Sequence, residues 1–451
     1  MRLKWIKVFG AIVLYMLAIL SISYFGKQSD LLFQFSSYSL AFAAFLYLVS
    51  VRDQFSLKAW KRIAIFLFLI PLFAAPSLSP DVYRFLWDGE LVTMGIHPYA
   101  SIPNELMASE SKVYTSEYMN LLYDQITPLS KQNFSNYPTG NQLYFLVAAG
   151  CSDDLFISLV LLRILMMLSL ILGAIFFLKT LELLSIPRNN AVLLLLNPIL
   201  IIEVIGNFHF EGVMLSWLML GIYFLLKHQW FRSSLFFAIA INIKLTPLIL
   251  LPFILRFRNV EISIKFYLLT FLFSGGILLI YLWPSVFWNY MQSIELYFDN
   301  FEFNAGVFYL VKWFTSFFVD GNPTLIVGPA MSIIAFLSIL FIAFYKPINN
   351  SKEWIVRMMW GYLVYLLLAT TVHPWYVILP LGLAVFSNNL GVLFWSYVIM
   401  LSYGFYAFGN TAVGFVLIGF EYSILIWFLF FPNSFILNKV RSILKLGESN
   451  S

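Results

Sequence analysis

The stretch VFGAIVLYMLAILSISYF, residues 8–25, contains no charged side chain and is long enough to cross the hydrocarbon core of a bilayer as an α-helix. A basic start, MRLKWIK, precedes it, as in a secretory signal peptide. No small-x-small cleavage site follows, whereas further apolar runs do. We therefore predict that residues 8–25 form an uncleaved first membrane helix.

Comparable apolar runs recur along the whole chain and set its class. Hydrophobic residues make up 61% of the 451 residues and charged residues only 11%, against about 45–50% and about 25% in soluble proteins. We predict an all-α, polytopic integral membrane protein with about 11–14 transmembrane helices in a single membrane domain, residues 1–451. The further candidate spans are 31–50, 61–78, 154–182, 190–206, 211–227, 230–243, 246–256, 264–284, 323–345, 354–371, 374–388, 391–408 and 412–432.

The distribution of basic residues predicts the orientation in the membrane. With a cytoplasmic N-terminus, Lys and Arg residues fall on the cytoplasmic side of the spans, as the positive-inside rule requires. The long polar interval at 79–136 then becomes an extracytoplasmic loop with short interfacial helices. We predict a multi-pass protein of the plasma (inner) membrane with its active site on the extracytoplasmic face. The cytoplasmic residues include Arg52, Lys58, Lys61, Arg62, Arg188, Lys227, Arg232, Arg256, Arg258, Lys265, Lys346, Lys352, Arg357, Lys439, Arg441 and Lys445.

Charge and cysteine content exclude several partners and cofactors. The net charge is +5, but the basic residues form no aromatic-interleaved stripe, so we expect the lipid bilayer and no nucleic acid as a partner. The single cysteine, Cys151, excludes an intramolecular disulfide. No Cys/His metal cluster and no phosphate-cradling glycine loop is present, so we predict no metal site and no cofactor, with a divalent-ion requirement left open.

The polar interval begins with a helix-forming motif, DVYRFLWDG, residues 81–89. Asp81, Arg84 and Asp88 recur at i, i+3 and i+7 and therefore share one helix face. At the membrane boundary, desolvation raises the pKa of a carboxyl group, which suits Asp81 to act as a general base for a hydroxyl substrate. Arg84 is then a candidate phosphate ligand. The alternative is that Asp81 merely caps a solvated helix.

Several further ionisable residues are predicted on the same face of the membrane as Asp81. Such residues are costly in or beside a membrane and indicate function, because a lipid phosphate requires cations near its head group. Lys244 lies in KLTP, where two runs too short to span comfortably meet at a proline. This pair and the segment 305–318 are candidates for re-entrant segments, and the broken backbone of the pair also indicates a site. The alternatives are snorkelling lysines and a helix-capping His209. The positions are Glu203, His209 with Glu211, Lys244, Lys312 and His373.

Aromatic residues at the predicted outer boundaries have two interpretations. They form the interfacial belts of a membrane protein, or some of them stack on a sugar ring. The candidates are Tyr137, Trp283, Trp288, Trp375 and Tyr376.

The motifs together resemble a known family over most of the chain. DVYRFLWDG at 81–89 with GIHPY at 95–99 resembles the D-[IV]-Y-R-[YF]-L-W-D-G…G-I-N-P-Y pattern of bacterial members of the glycosyltransferase C superfamily, polyprenol-phosphate-mannose-dependent mannosyltransferases. Shorter matches follow in the family's order, at Tyr137-Pro138, Asn197-Pro198, GNFHFE at 206–211, KLTP at 244–247, FNAG at 303–306 and HPWY at 373–376. This chain departs from the family's motifs at three positions: His97 replaces Asn in GIHPY, Thr139 replaces a second Pro after Tyr137-Pro138, and Phe210 replaces the Asn after His209.

The resemblance implies an activity and a set of site residues. It implies inverting transfer of a sugar, mannose by analogy, from a polyprenyl-phosphate donor to an extracytoplasmic glycan or glycolipid acceptor. An aspartate in the first external loop acts as base, Asp81 by position with Asp88 in reserve. The donor phosphate is then bound by Arg84, Lys244 and His373, and substrate by His209, Glu211, Tyr137, Trp375 and Tyr376. The absence of a nucleotide-binding motif agrees with a lipid-phosphate donor.

Two other classes of function compete with the glycosyltransferase. A lipid-linked glycan flippase or small-solute transporter places its ionisable residues near the bilayer midplane, between two moving halves. A structural membrane scaffold predicts no loss of activity on removing Asp81 or Arg84. The acidic cluster of this chain lies in a large external loop and favours the enzyme.

Overall fold

The computed structural model describes residues 2–108, 113–299 and 301–446. Within these ranges the chain is helical, and extended backbone pairs only at an isolated bridge between Phe303 and Thr371. The all-α prediction is therefore confirmed.

Seven helices of the described residues are long and apolar enough to cross a membrane, or up to eight if one bent pair is a single span. The polytopic prediction is confirmed, although about 11–14 spans were expected. Four predicted spans form apolar helices of 10–17 residues, which are too short to count by length alone: Glu211–Leu226, Trp230–Ile243, Thr246–Phe257 and Pro374–Ala384. The seven long segments are Trp5–Phe25, Leu31–Ser50, Leu155–Leu183, Val260–Leu278, Thr324–Phe344, Leu390–Phe408 and Ala412–Phe430.

The N-terminal part of the chain is an apolar helical hairpin followed by a shorter helix. α1 packs against α2, which begins where the side chain of Asp30 accepts a hydrogen bond from the N–H of Phe33. A 3₁₀ helix at Ile70–Phe73 then leads to Asp81. The helices are α1 (Arg2–Phe25), α2 (Leu31–Ser50) and α3 (Leu57–Leu69).

The predicted external loop is itself helical. α4 packs against α6 and α8 with close backbone contact, because a Cβ on Gly89 would lie 2.4 Å from the carbonyl oxygen of Phe145. Gly140 brings the start of α8 similarly close to a later helix, because a Cβ there would lie 2.5 Å from the carbonyl oxygen of Asn242. The helices are α4 (Asp81–Thr93), α5 (Pro103–Ala108), α6 (Glu117–Gln125), α7 (Pro128–Lys131) and α8 (Thr139–Ala149).

The middle of the chain contains the long membrane helix α9 and several interrupted segments. The pair Arg188–Leu195 and Leu200–Gly206 is bent by 59°, and its second half is a π-helix. α11 packs between α9 and α12, and α12 packs against α14. The helices are α9 (Leu155–Leu183), α10 (Val192–Leu195), α11 (Glu211–Leu226), α12 (Trp230–Ile243), α13 (Leu251–Phe257) and α14 (Val260–Leu278).

The C-terminal part returns to the same core. α17 packs against α18, α19 against α11, and α20 against α22. The start of α11, the end of α12 and the connection after α18 thereby meet beside α4. The helices are α15 (Pro284–Asp299), α16 (Gly306–Thr315), α17 (Thr324–Phe344), α18 (Ser351–Leu368), α19 (Ile378–Ala384), α20 (Leu390–Val398), α21 (Gly404–Phe408), α22 (Ala412–Phe430) and α23 (Phe435–Leu444).

Candidate active site

Asp81 is the first residue of α4 and does not cap it. The N–H of Asp81 donates to Oγ of Ser79 over 3.3 Å, and no side chain caps this helix start. The segment before it is held by Asn207, whose Oδ1 accepts hydrogen bonds from the N–H groups of Ser77 and Leu78. Ser79 and Asn207 therefore hold the backbone at and just before Asp81. The interpretation of Asp81 as the N-cap of a solvated helix does not apply.

Two cavities meet at Asp81. The first chamber has a volume of about 250 Å³ and is also lined by Lys244, His209 and Asn141. The second chamber has a volume of about 270 Å³ and is also lined by Gln28, Arg84 and Asn133. Both chambers share five lining residues, namely Asp81, Asn136, Tyr137, His373 and Trp375.

Lys244 brings a positive charge to the first chamber. α12 ends at Ile243, and Lys244 adopts an extended conformation ahead of the 3₁₀ helix Thr246–Leu250, which contains Pro247. Its Nζ lies 3.0 Å from Oε1 of the buried Glu211, at the start of α11. The side chain of Lys244 is still 26% exposed, so its ammonium is accessible to a ligand in the chamber.

His209 lies beside a buried carboxyl group. Glu203 lies in the π-helix Leu200–Gly206, accepts a hydrogen bond from the hydroxyl of Tyr403 over 3.0 Å and places Oε2 3.0 Å from Nδ1 of His209. Phe208, between them, has a φ of 63°, a conformation that is strained for a bulky residue. π-helices and backbone strain both concentrate at functional sites.

Four rings form a column beside the two chambers. The ring centroids of His209 and Trp375 are 3.4 Å apart, and those of Trp375 and His373 are 4.4 Å apart, with nearly parallel planes in both pairs. Phe303 stacks on His373 at 4.4 Å. Two parallel rings this close cannot share one face, so the histidines cover both faces of Trp375. Stacking of Trp375 on a sugar ring is therefore blocked.

The position of His373 is set by pairing between two chain segments. The N–H of Phe303 donates to the carbonyl of Thr370, and the N–H of Val372 donates to the carbonyl of Phe303. Asn304 has a φ of 49° and donates to the carbonyl of Val372 and to Oε1 of the buried Glu421. The motif FNAG thus supports the motif HPWY rather than lining a chamber.

Arg84 and Asp88 form a buried pair within α4. Nε of Arg84 lies 2.7 Å from Oδ1 of Asp88, and the two side chains are 3% and 0% exposed. Asp88 also accepts from the hydroxyl of Ser135 and the amide of Gln142, and Nη1 of Arg84 donates to the carbonyls of Ser130 and Asn133. Arg84 reaches the second chamber, whereas Asp88 lines neither chamber.

Burial shifts the pKa of three groups in the site. Burial raises the pKa of Asp81; the positive charge of Lys244 opposes this shift and the negative charge of Glu211 adds to it. Burial, reinforced by Lys244, lowers the pKa of His373 to about 3. Burial, the charge of Lys244 and the neighbouring His373 also lower the pKa of His209 well below its usual value. At neutral pH both histidines are therefore neutral.

Three described residues that line the first chamber have buried polar atoms without hydrogen-bond partners. Among the described residues, neither the amide oxygen nor the amide nitrogen of Asn141 has a hydrogen-bond partner, although the residue is 0% exposed. Nε2 of His209 and Nδ1 of His373 are likewise unpartnered. Because buried polar groups are normally hydrogen-bonded, these atoms indicate the place of a polar ligand.

The structure brings most of the predicted residues together. Glu211 stands behind Lys244, Arg84 lines the second chamber and Asp88 lines neither. Lys312 lies elsewhere, bound to Glu302, and Trp283 and Trp288 are exposed and line neither chamber.

Of the described residues, no three His, Cys, Asp or Glu side chains are grouped to hold a metal ion. The predicted residues that line the first chamber are Asp81, Tyr137, His209, Lys244, His373, Trp375 and Tyr376.

Sequence reasoning missed several residues that build the site. Asn141 lines the first chamber, and Glu421 supports Asn304 from the membrane helix α22. Arg163 in α9 donates to the carbonyls of Ile205 and Gly206, where the π-helix ends. Ionisable residues inside long apolar runs are costly, and that signal would have identified Arg163 and Glu421. Asn141 gave no comparable signal.

Comparison with known proteins identifies relatives of this chain. Residues 11–258 match the family model described as "Alpha-(1->6)-mannopyranosyltransferase, N-terminal domain". Alpha-(1->6)-mannopyranosyltransferase A of Corynebacterium glutamicum is 26% identical over 206 residues, which cover 45% of this chain and 39% of that protein.

The matched range contains much of the site. It includes Asp81, His209 and Lys244, whereas His373 and Trp375 lie beyond it. The finding agrees with the motif resemblance to mannosyltransferases of the glycosyltransferase C type. The chain belongs to the alpha-(1->6)-mannopyranosyltransferase family.

Proposed function

We propose that this chain is a membrane mannosyltransferase. It transfers mannose from a polyprenyl-phosphate donor to a hydroxyl group of a glycan or glycolipid acceptor on the extracytoplasmic face of the plasma membrane. The name of the Corynebacterium glutamicum relative supports an α-(1→6) linkage. The observation that carries the proposal is that Asp81 and the accessible ammonium of Lys244 border the same chamber.

The transfer needs one base and one site of positive charge. Asp81 removes the proton from the acceptor hydroxyl, whose oxygen then bonds to the anomeric carbon of mannose. The bond from that carbon to the phosphate oxygen breaks with its electron pair, and the polyprenyl phosphate leaves as an anion. Inversion at this carbon requires only one carboxyl group. An α-linked product formed with inversion implies a β-linked donor.

Lys244 is better suited than Arg84 to stabilise the leaving phosphate. The guanidinium of Arg84 is neutralised by Asp88 and holds two carbonyl groups of the loop. Lys244 is more exposed and borders the chamber that contains the unpartnered atoms of Asn141 and His209. Since His373 is neutral at physiological pH, it donates or accepts a hydrogen bond there and adds no charge.

A transfer assay with a matched lysine pair tests the proposal. Membranes that contain the wild-type chain should transfer radiolabelled mannose from polyprenyl-phosphate mannose to an alkyl α-mannoside. Lys244→Met should lower kcat/KM for the donor by about 10²-fold or more, because the leaving anion loses its counter-charge. Lys244→Arg should retain more activity. Lys227→Met, at the exposed end of α11, is the control and should match wild type.

Two results would overturn the proposal. One is wild-type protein that transfers no mannose from this donor but translocates a lipid-linked glycan, as a flippase does. The other is a folded Lys244→Met variant with unchanged donor kinetics.

A further inference from the structure

The two chambers differ in charge although they share Asp81. The first chamber has the accessible ammonium of Lys244, whose partner Glu211 is buried behind it. The charged group unique to the second chamber is Arg84, which is already paired with Asp88 in a buried ion pair. An anion therefore finds an accessible counter-charge in the first chamber, while the only cation among the described residues that line the second chamber, Arg84, is already paired with Asp88.

The two chambers are also lined by different parts of the chain. The first chamber is lined by Ser332 of α17 and Tyr365 of α18, and α17 is one of the long apolar helices. A ligand there can keep an apolar chain in the bilayer. The second chamber is lined by six residues of the segment 127–136 and by Gln28, which lie outside the seven long apolar segments, and by Tyr406 from the end of one such segment.

Two amide oxygens in the second chamber are free to accept hydrogen bonds. The amide nitrogen of Gln28 donates to the carbonyl of Leu78 over 2.9 Å, and that of Asn133 donates to the carbonyl of Leu129 over 2.8 Å. These bonds orient both amides, and no described residue donates to either amide oxygen. Oriented acceptors of this kind suit the hydroxyl groups of a sugar.

We propose that the second chamber binds the acceptor as a neutral, hydroxyl-rich sugar, recognised by Gln28 and by the segment 127–136. This inference rests on the proposed mannosyl transfer and adds the acceptor site to it. The reacting hydroxyl then reaches Asp81 from the second chamber, while the anomeric carbon of the donor is presented from the first. The Arg84–Asp88 pair acts as a positioning element, because Arg84 holds the carbonyls of Ser130 and Asn133.

Kinetics with each substrate varied in turn test this assignment. Asn133→Ala should raise KM for an alkyl α-mannoside about three- to tenfold, as expected for one lost hydrogen bond, and leave KM for polyprenyl-phosphate mannose unchanged. Gln132→Ala is the matched control, because its exposed amide lines neither chamber. Leu129→Trp, at a 43% exposed residue of the chamber wall, should fill the chamber and raise the acceptor KM further.

Hydrolysis of the donor separates this inference from the proposed function. Without an acceptor, water takes its place, so wild-type protein and the control variant Gln132→Ala should release free mannose from the donor at the same rate. A raised donor KM, or an unchanged acceptor KM in both Asn133→Ala and Leu129→Trp, would overturn the assignment of the second chamber. Wild-type protein that neither transfers nor hydrolyses the donor would overturn the proposed function, and this inference with it.

Discussion

The first turn and the third turn of α4 each contain an aspartate, and the two have different environments. Asp81 is partly exposed between two chambers and forms no ion pair with any described residue, whereas Asp88 is 0% exposed and bound to Arg84, Ser135 and Gln142. Both lie on one helix face. The difference shows that a shared helix face does not imply a shared environment, because only Asp81 borders the two chambers and only Asp88 is held in a buried ion pair.

The largest expected effect is on catalysis at the first turn. Asp81→Asn removes the proposed base and should lower kcat about 10²–10⁴-fold, with the melting temperature of the purified protein unchanged. Single-turnover mannose transfer measures the loss. Asp153→Asn, an exposed aspartate beyond both chambers, should leave kcat unchanged. A fully active Asp81→Asn protein would contradict the proposed role of Asp81 as the base.

Substitution of Asp88, in the third turn of α4, should lower the stability of the protein. Asp88→Ala leaves the guanidinium of Arg84 buried without its partner, which costs about 3–5 kcal/mol of unfolding free energy. Thermal unfolding in detergent measures the change. The double variant Asp88→Ala with Arg84→Met should recover part of the loss, since it removes both charges. A stable Asp88→Ala protein that has lost all activity would instead indicate a catalytic role.

A smaller effect is expected where α4 contacts α8. Gly89→Ala adds a Cβ 2.4 Å from the carbonyl oxygen of Phe145, so the helices must separate at a cost of about 1–3 kcal/mol. Thermal unfolding tests this as well. Gly275→Ala, in α14 with no atom within 4 Å of the added Cβ, is the control and should not be destabilised. Equal melting temperatures for the two variants would contradict the close packing.

The smallest expected effect is a shift in the pH profile. Burial raises the pKa of Asp81, and the base must be ionised, so activity should fall as pH falls through that raised pKa. The acid limb should therefore lie above the value for an ordinary aspartate, about 3.9. Lys244 opposes the shift, so Lys244→Met should move the limb to higher pH still. A limb that stays in place would show that another group controls it.

The sequence predicted the seven long apolar helices because apolar runs are local signals, but it counted more spans than the described residues show, because the shorter apolar helices have a similar composition. It also predicted that His209, Lys244 and His373 lie near Asp81, because ionisable residues at membrane boundaries are uncommon without function. It did not separate Asp81 from Asp88, since the partners of Asp88 lie 47 and 54 residues away in the chain. Nor did it show that Lys312 pairs with Glu302 and lines neither chamber.

The ring column joins residues from both halves of the chain. His209 comes from the matched range 11–258, whereas Phe303, His373 and Trp375 come from the second half. The matched range therefore contributes only part of the ring column, and residues from both halves of the chain line the two chambers. Two separately expressed halves would have to reassemble through these rings before either chamber existed.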